Sequence, residues 1–223
     1  ESPTTETLSP HSSSDRSNGV GGAPSSSPNG TLSVHFINVG QSDAILVEAP
    51  DKTLLMDTGD FTNDGELVLE YLQQRDIQRL DYLVTSHADA DHIGGHAAVI
   101  EYFETEANGV GAVYDPGIAA STQTYERYLD AVEQYNVPLY RTEAGDTIPF
   151  GGADIDVFGP PQPYLANKDR NENSVVLKLT YGQTSILLPG DAERAQEADL
   201  VERYGSELNS TILRAAHHGS KTS

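Results

Sequence analysis

The sequence predicts an α/β fold in which sheets carry helices on their outer faces. Strand-like and helix-like segments interleave along the chain. The strands come in hairpins rather than in strict strand–helix–strand order, and no repeat of about 20 to 50 residues is present to suggest a solenoid.

Taken in order, Leu32–Val39, Ala44–Ala49 and Thr53–Met56 read as three strands of an antiparallel meander, punctuated by Gly40 and by Pro50-Asp51. Gly65–Arg75 places Leu67, Leu69, Tyr71 and Leu72 at the spacing of a short amphipathic helix. Leu80–Thr85 is a buried strand. Ile93–Phe103 is a helix that follows or includes the pair Gly94-Gly95, and Ala112–Tyr114 is a short strand. Thr122–Tyr135 is a second helix, with Tyr125, Tyr128, Leu129 and Val132 on one face. Ile155–Phe158 is a strand ended by Gly159-Pro160-Pro161. Val175–Tyr181 and Thr184–Leu188 form a hairpin across Gly182-Gln183. Ala192–Tyr204 is a helix and Thr211–Ala215 the last apolar strand.

The first residues stand apart. More than half of residues 1–30 are Ser, Pro or Gly, too little apolar area to offset the entropy of ordering, so they are expected to form a flexible tether. The folded domain is expected over 31–223. Residue 1 is Glu, which implies a removed preceding segment or a fragment. A tether of this composition is expected in an extracellular or surface-anchored protein.

Composition narrows the chemistry. The 223 residues include 34 acidic and 13 basic side chains, a formal net charge of −21, and no cysteine. The missing cysteine excludes disulfides, thiolate–zinc sites and thiol nucleophiles. No apolar run reaches the length of about 18 residues needed for a transmembrane helix. The charge argues against a basic groove for duplex DNA, although a bound cation would supply positive charge locally. The acidic residues are spread evenly rather than in blocks, the pattern of a halophilic-type surface.

Three segments carry the candidate chemistry. Ser86-His87-Ala88-Asp89-Ala90-Asp91-His92-Ile93-Gly94-Gly95 follows directly on a buried strand. On an extended segment alternate residues share a side, so His87, Asp89 and Asp91 would converge, with His92 facing a neighbouring volume. Two cations about 3.5–4 Å apart would suit such a set. A polar loop that merely contains two histidines is a much less economical account of four donor residues in six positions. Leu188-Pro189-Gly190-Asp191 puts a carboxylate at the end of a second buried strand, and Ala216-His217-His218-Gly219 puts a histidine pair at the end of a third. Of the other histidines, His35 belongs to a strand, and His96, one turn after His92, is expected to be an exposed helical side chain, with a place supporting the ligands as the alternative.

As an ordered set these segments resemble the metallo-β-lactamase-fold hydrolases, and most closely the β-lactamase-like domain of ComEC-type competence proteins. The shared features are Phe36-Ile37-Asn38-Val39-Gly40-Gln41-Ser42-Asp43-Ala44, Leu55-Met56-Asp57-Thr58-Gly59, the His87–Gly95 motif, Asn173-Ser174-Val175-Val176-Leu177, Gly190-Asp191 and His217-His218-Gly219-Ser220-Lys221. The resemblance implies an αββα sandwich with metal ligands at His87, Asp89, Asp91, His92, Asp191 and His217. It implies one or two divalent ions, zinc or manganese. Asp91 would hold or deprotonate the attacking water, His218 would meet substrate or protonate the leaving group, and the Asp57-Thr58-Gly59 turn would brace the site.

Departures from the family pattern qualify these implications. Asp89 stands where most of the superfamily has histidine, which shifts preference toward harder ions such as manganese. Asn171-Glu172-Asn173-Ser174 lacks a further histidine, leaving the first ion with His87, Asp89 and Asp191, with Asn173 nearby, and so weaker than the second. The chain also stops soon after the His217–Lys221 segment, so the C-terminal part of the sandwich is expected to be incomplete. The implied activity is hydrolysis of a phosphodiester, DNA or a nucleotide, by metal-activated water. The alternatives are a small ester, lactone or thioester substrate, or a non-catalytic metal-binding surface protein.

Overall fold

The computed structural model describes residues 30–223; the tether expected over 1–30 lies, apart from Gly30, outside the described residues. One sheet contains β1 (Ser33–Phe36), β2 (Ile45–Glu48), β3 (Thr53–Met56), β4 (Leu80–Val84), β5 (Val110–Asp115) and β6 (Leu139–Arg141), in that spatial order. β1 to β3 pair antiparallel, as the expected meander requires, and β4 to β6 add in parallel. The parallel additions need crossovers, supplied by α1 (Glu66–Gln74), α2 (His96–Glu106) and α3 (Gln123–Tyr135). The second sheet contains β7 (Thr147–Phe150), β8 (Ala153–Gly159), β9 (Val176–Tyr181), β10 (Thr184–Leu188) and β11 (Ile212–Leu213), with β7 and β11 at its two edges. Between β10 and β11 runs α4 (Arg194–Tyr204).

The pleat explains why several strands read as continuous apolar runs. Successive side chains point to opposite faces. Ile45, Val47, Leu54, Met56 and Val84 meet Ile148, Phe150, Ile155, Val157, Leu177, Leu179, Ile186 and Leu188 between the sheets. Their neighbours Leu46, Leu55, Leu83 and Val113 pack outward with Val68, Leu72, Val99, Ile100, Phe103, Tyr128 and Val132 of the first three helices. On the far side Phe158, Val176 and Leu187 pack with Leu200 of α4. Both faces of each sheet are therefore covered, giving the four-layer αββα sandwich.

Some elements differ from the sequence reading. β6 and β7 were not expected. All three residues of β6 are exposed, so no apolar pattern marks it. β7 contains Pro149, which lacks a donor and is tolerated because the strand lies at an edge. β11 is shorter than Thr211–Ala215, and its Ile212 and Leu213 are exposed. Helix α2 starts at His96 rather than Ile93, because residues 91–95 form turns. The β9–β10 hairpin is as expected, with Tyr181 opposite Thr184 and Gly182 at φ 62° in the turn.

Helix α3 is capped at both ends: the Thr122 hydroxyl accepts from the Tyr125 backbone N–H at 3.2 Å, and Asn136 closes the other end at φ 55°. Replacement Thr122→Ala should cost about 1 kcal/mol, seen as a lower urea midpoint at unchanged slope. An unchanged midpoint would show that the cap contributes nothing to stability.

Candidate metal centre

The donors lie where chain segments leave the C-terminal ends of strands. Asp57 follows β3, Ser86 and His87 follow β4, Asp191 lies three positions after the end of β10, and the histidine pair follows β11. The two sheets are tied here by a 2.8 Å hydrogen bond from the Val175 N–H to the Ser86 carbonyl.

Asp57 organises the floor. It is buried and takes φ 60°, an unusual value for a non-glycine residue. Its Oδ1 accepts from the Ser86 N–H at 2.8 Å; its Oδ2 accepts from Ser86 Oγ at 2.6 Å and from His92 Nδ1 at 2.7 Å. Ser86 has one hydroxyl proton, and it goes to Asp57. At 3.0 Å from Ser86 Oγ, His87 Nδ1 must then be the donor, which leaves His87 Nε2 with a free lone pair. That atom is buried and has no hydrogen-bond partner, and neither has Asp191 Oδ1. Burial, reinforced by positive charge on His92, pushes His87 down to about 4, so its imidazole is neutral at pH 7.

Above this floor the donors converge. His92 Nε2 is 3.2 Å from Asp191 Oδ2 and 3.3 Å from His218 Nε2. His218 Nε2 is 3.3 Å from Asp191 Oδ2 and 3.5 Å from Asp91 Oδ2. The donor atoms of His87, His92 and Asp191 lie within 4.8 Å of one another, as do those of Asp91, His92 and His218. Burial opposes charge on His92, but the Asp57 and Asp191 carboxylates outweigh it and hold the imidazole well above its ordinary range. Burial likewise opposes ionisation of Asp191, yet hydrogen bonds from His218 and His92 hold it far below the usual carboxylate range. Hydrogen bonds to Asp191 and then Asp91 push His218 up to about 9. The volume thus demands positive charge. Orphaned lone pairs on His87 and Asp191, aimed with two more imidazoles and a second carboxylate, fit a divalent cation with mixed nitrogen and oxygen ligands.

The structure brings His87, Asp91, His92, Asp191 and His218 together and leaves Asp89 and His217 at the margin. The segment expected to be extended turns at Asp89, whose carbonyl accepts from the N–H groups of His92 and Ile93, both at 3.0 Å. Asp89 consequently pairs with Arg170, and its Oδ2 remains 3.7 Å from His87 Nε2. The histidine pair is distributed the other way from the sequence expectation. His218 faces the cluster, while His217 binds Glu193 through Nδ1 at 2.9 Å and reaches only 3.8 Å from Asp191 through Nε2. Both take positive φ, 44° and 52°, which sends their side chains to different partners. Asn173 is not a neighbouring ligand: its amide is spent on Leu165 and the Asp169 carbonyl.

His96 is a clear correction. It is fully buried, not exposed, with Nδ1 2.7 Å from Thr58 Oγ1 and Nε2 3.0 Å from Thr85 Oγ1. The later start of α2 rotates it under the site. Asp43 and Arg214 had no assigned role. Asp43 shares donor groups with Asp57 and His92 and with Asp191 and His218, and Arg214 pairs with it while donating to the Gly190 carbonyl at 2.9 Å. An arginine three positions before a histidine pair, in an apolar strand, was the available signal.

Gly94 and Gly95 have a packing reason. A Cβ on Gly94 would lie 2.2 Å from Asp60 C and Phe61 N, and one on Gly95 would lie 2.5 Å from Gly65 Cα. Only hydrogen fits between the donor loop and the turn after Asp57.

Fold and donor set together define a metallo-β-lactamase-type domain, and residues 37–223 match the metallo-beta-lactamase superfamily. The chain belongs to that superfamily, and its fold supports a metal-dependent hydrolase in general terms. It is 31% identical over 201 residues to Competence protein ComA of Neisseria gonorrhoeae, covering 90% of this chain and 26% of that protein. It is 27% identical over 207 residues to ComE operon protein 3 of Bacillus subtilis (strain 168), covering 85% and 26%. The chain therefore spans about a quarter of the length of these relatives. Among solved structures, MEM-A1, a subclass B3 metallo-beta-lactamase from a soil metagenome library, shares the fold with TM-score 0.54 at 16% identity, over 87% of this chain and 80% of that one. No helix among the described residues is long and apolar enough to cross a membrane.

Burial pushes His96 down to about 4. The unfolded chain, with a histidine near 6.5, binds this proton more readily, so the folded state loses stability as pH falls from about 6.5 toward 4. In metal-free protein the stability advantage of wild type over His96→Gln should shrink by about 2–3 kcal/mol between pH 7.5 and 4.5, measured by urea unfolding. Parallel pH curves would contradict the assignment.

Proposed function

We propose that this domain hydrolyses phosphodiesters, in single-stranded DNA or a nucleotide, with a divalent cation held by His87, His92, Asp191, Asp91 and His218. The observation that carries the reading is the convergence of these donors around bare lone pairs on His87 and Asp191. When bound, such an ion supplies Lewis acidity toward a phosphoryl oxygen and acidifies water. The mixed imidazole and carboxylate set suits zinc or manganese. Asp89, engaged with Arg170, makes the His87 side the weaker of two ion positions.

The protein's own groups supply the rest. His92 is fixed through Nδ1 by Asp57, so only Nε2 faces the reaction volume. Asp91, partly exposed at the mouth, orients the attacking water and takes its proton. His217, held by Glu193 and lining the adjoining cavity, stands on the substrate side and can protonate the leaving oxygen. The polar walls of that cavity, among them Gln41, Ser42, Thr62 and Asn63, support a phosphodiester over the apolar acyl group of an ester or lactone. The similarity to competence proteins supports DNA.

Chelator-stripped protein reloaded with manganese or zinc should cleave single-stranded DNA or a generic phosphodiester, at low or high salt. Asp91→Ala should lower the rate about 10²–10³-fold, and chelation should abolish it. No cleavage in any condition, with wild type matching Asp91→Ala, would remove the reading.

A further inference from the structure

Beside the metal centre lies a cavity of about 640 Å³, inside the range of about 300–1,000 Å³ common for small-molecule sites. Asp91 and His218 form its wall toward the donors, and Phe61, Gln41 and Asn63 line it elsewhere. Phe61 is 53% exposed and lines the cavity. Its position is fixed. It opens a short 3₁₀ turn in which the Thr62 N–H donates to Asp60 Oδ1 at 2.7 Å, and the backbone of that turn rests on Gly94 of the donor loop. The wall that presents the ring is thereby locked to the loop that presents His92.

The chemistry of the other walls selects what the ring would meet. No lysine or arginine lines the cavity, whereas Asp60 and Asp91 do, so a group bearing further phosphates is disfavoured there. Among the described residues, the side-chain amides of Gln41 and Asn63 have no hydrogen-bond partner. Each offers both donors and an acceptor. A neutral planar group with a polar edge satisfies the ring, the amides and the charge together.

We propose that this cavity is a nucleoside subsite. Phe61 stacks on the base of the nucleotide whose phosphodiester lies over Asp91 and His218, and Gln41 and Asn63 hydrogen-bond to the polar edge of that base. The inference rests on the phosphodiesterase reading and sharpens it. Stacking on Phe61 needs a base free of its duplex neighbours, so the substrate is single-stranded nucleic acid or a nucleotide diester rather than duplex.

Two chromogenic diesters test it on metal-loaded protein: thymidine 5′-(p-nitrophenyl phosphate) and methyl p-nitrophenyl phosphate. Wild type should prefer the nucleoside ester in kcat/KM. Phe61→Ala should narrow that preference at least about fivefold, mainly through KM for the nucleoside ester, and Phe61→Tyr should restore it. Hydrolysis of both esters with a preference unmoved by Phe61→Ala overturns the subsite and leaves the phosphodiesterase reading standing. Hydrolysis of neither ester by wild type overturns the phosphodiesterase reading and the subsite with it.

Discussion

One buried carboxylate orders the rest of the site. Asp57 sits just past β3, with 1% of its surface exposed, and its oxygens accept from the Ser86 backbone, the Ser86 hydroxyl and His92 Nδ1. An ionised carboxylate without partners would cost several kcal/mol at such a depth. Here burial is outweighed by His92 and Ser86, and Asp57 stays below the ordinary carboxylate range. Each of its partners is thereby fixed in orientation and tautomer. His92 must present Nε2 outward, and His87 must donate through Nδ1 and do the same. The next residue extends the hold: the Thr58 N–H binds the His92 carbonyl at 2.8 Å, and its hydroxyl meets His96.

Beneath this layer runs a buried polar chain that ties the site to α3. Thr85 Oγ1 contacts His96 and the Tyr128 hydroxyl, and Tyr128 donates to Asp115 Oδ2 at 3.3 Å. Burial pushes Asp115 up to about 6, against hydrogen bonds from the Gly117 N–H and the Tyr128 hydroxyl, so it stays mostly ionised at pH 7 and loses its charge on mild acidification. Helix α3, the end of β4 and the start of α2 are thus joined by one run of hydrogen bonds. The −21 net charge belongs to a different level of the molecule. Its effect is on approach: a long polyanion is repelled at low salt, and the repulsion fades as the screening length contracts to about 3 Å at 1 M. A single unstacked nucleotide over a cation is less exposed to that field than a duplex would be.

Much of the architecture was legible because burial leaves a pattern. Runs such as Ile45-Leu46-Val47 and Leu54-Leu55-Met56 are apolar on both faces because helices cover one face and the second sheet the other. The segments that converge were legible too, since strand ends bring together side chains such as His87, His92 and Asp191. What the sequence hid was direction. The turn at Asp89 breaks the alternation on which the convergence of His87, Asp89 and Asp91 was based, and positive φ at His217 and His218 exchanges the partners expected for the pair. Short edges hid as well: β6 is wholly exposed and β7 carries Pro149. His96 reads as an ordinary helical residue until the Gly94-Gly95 packing delays the helix and buries it.

The cluster fits a cation, with Asp191 shared between His92 and His218. Calorimetric titration of chelator-stripped protein with manganese and with zinc tests it most directly, comparing wild type with Asp191→Ala. Saturable binding in wild type, weakened at least about tenfold in the variant, is the expected result. Equal binding by the two proteins, or none by wild type, would contradict it.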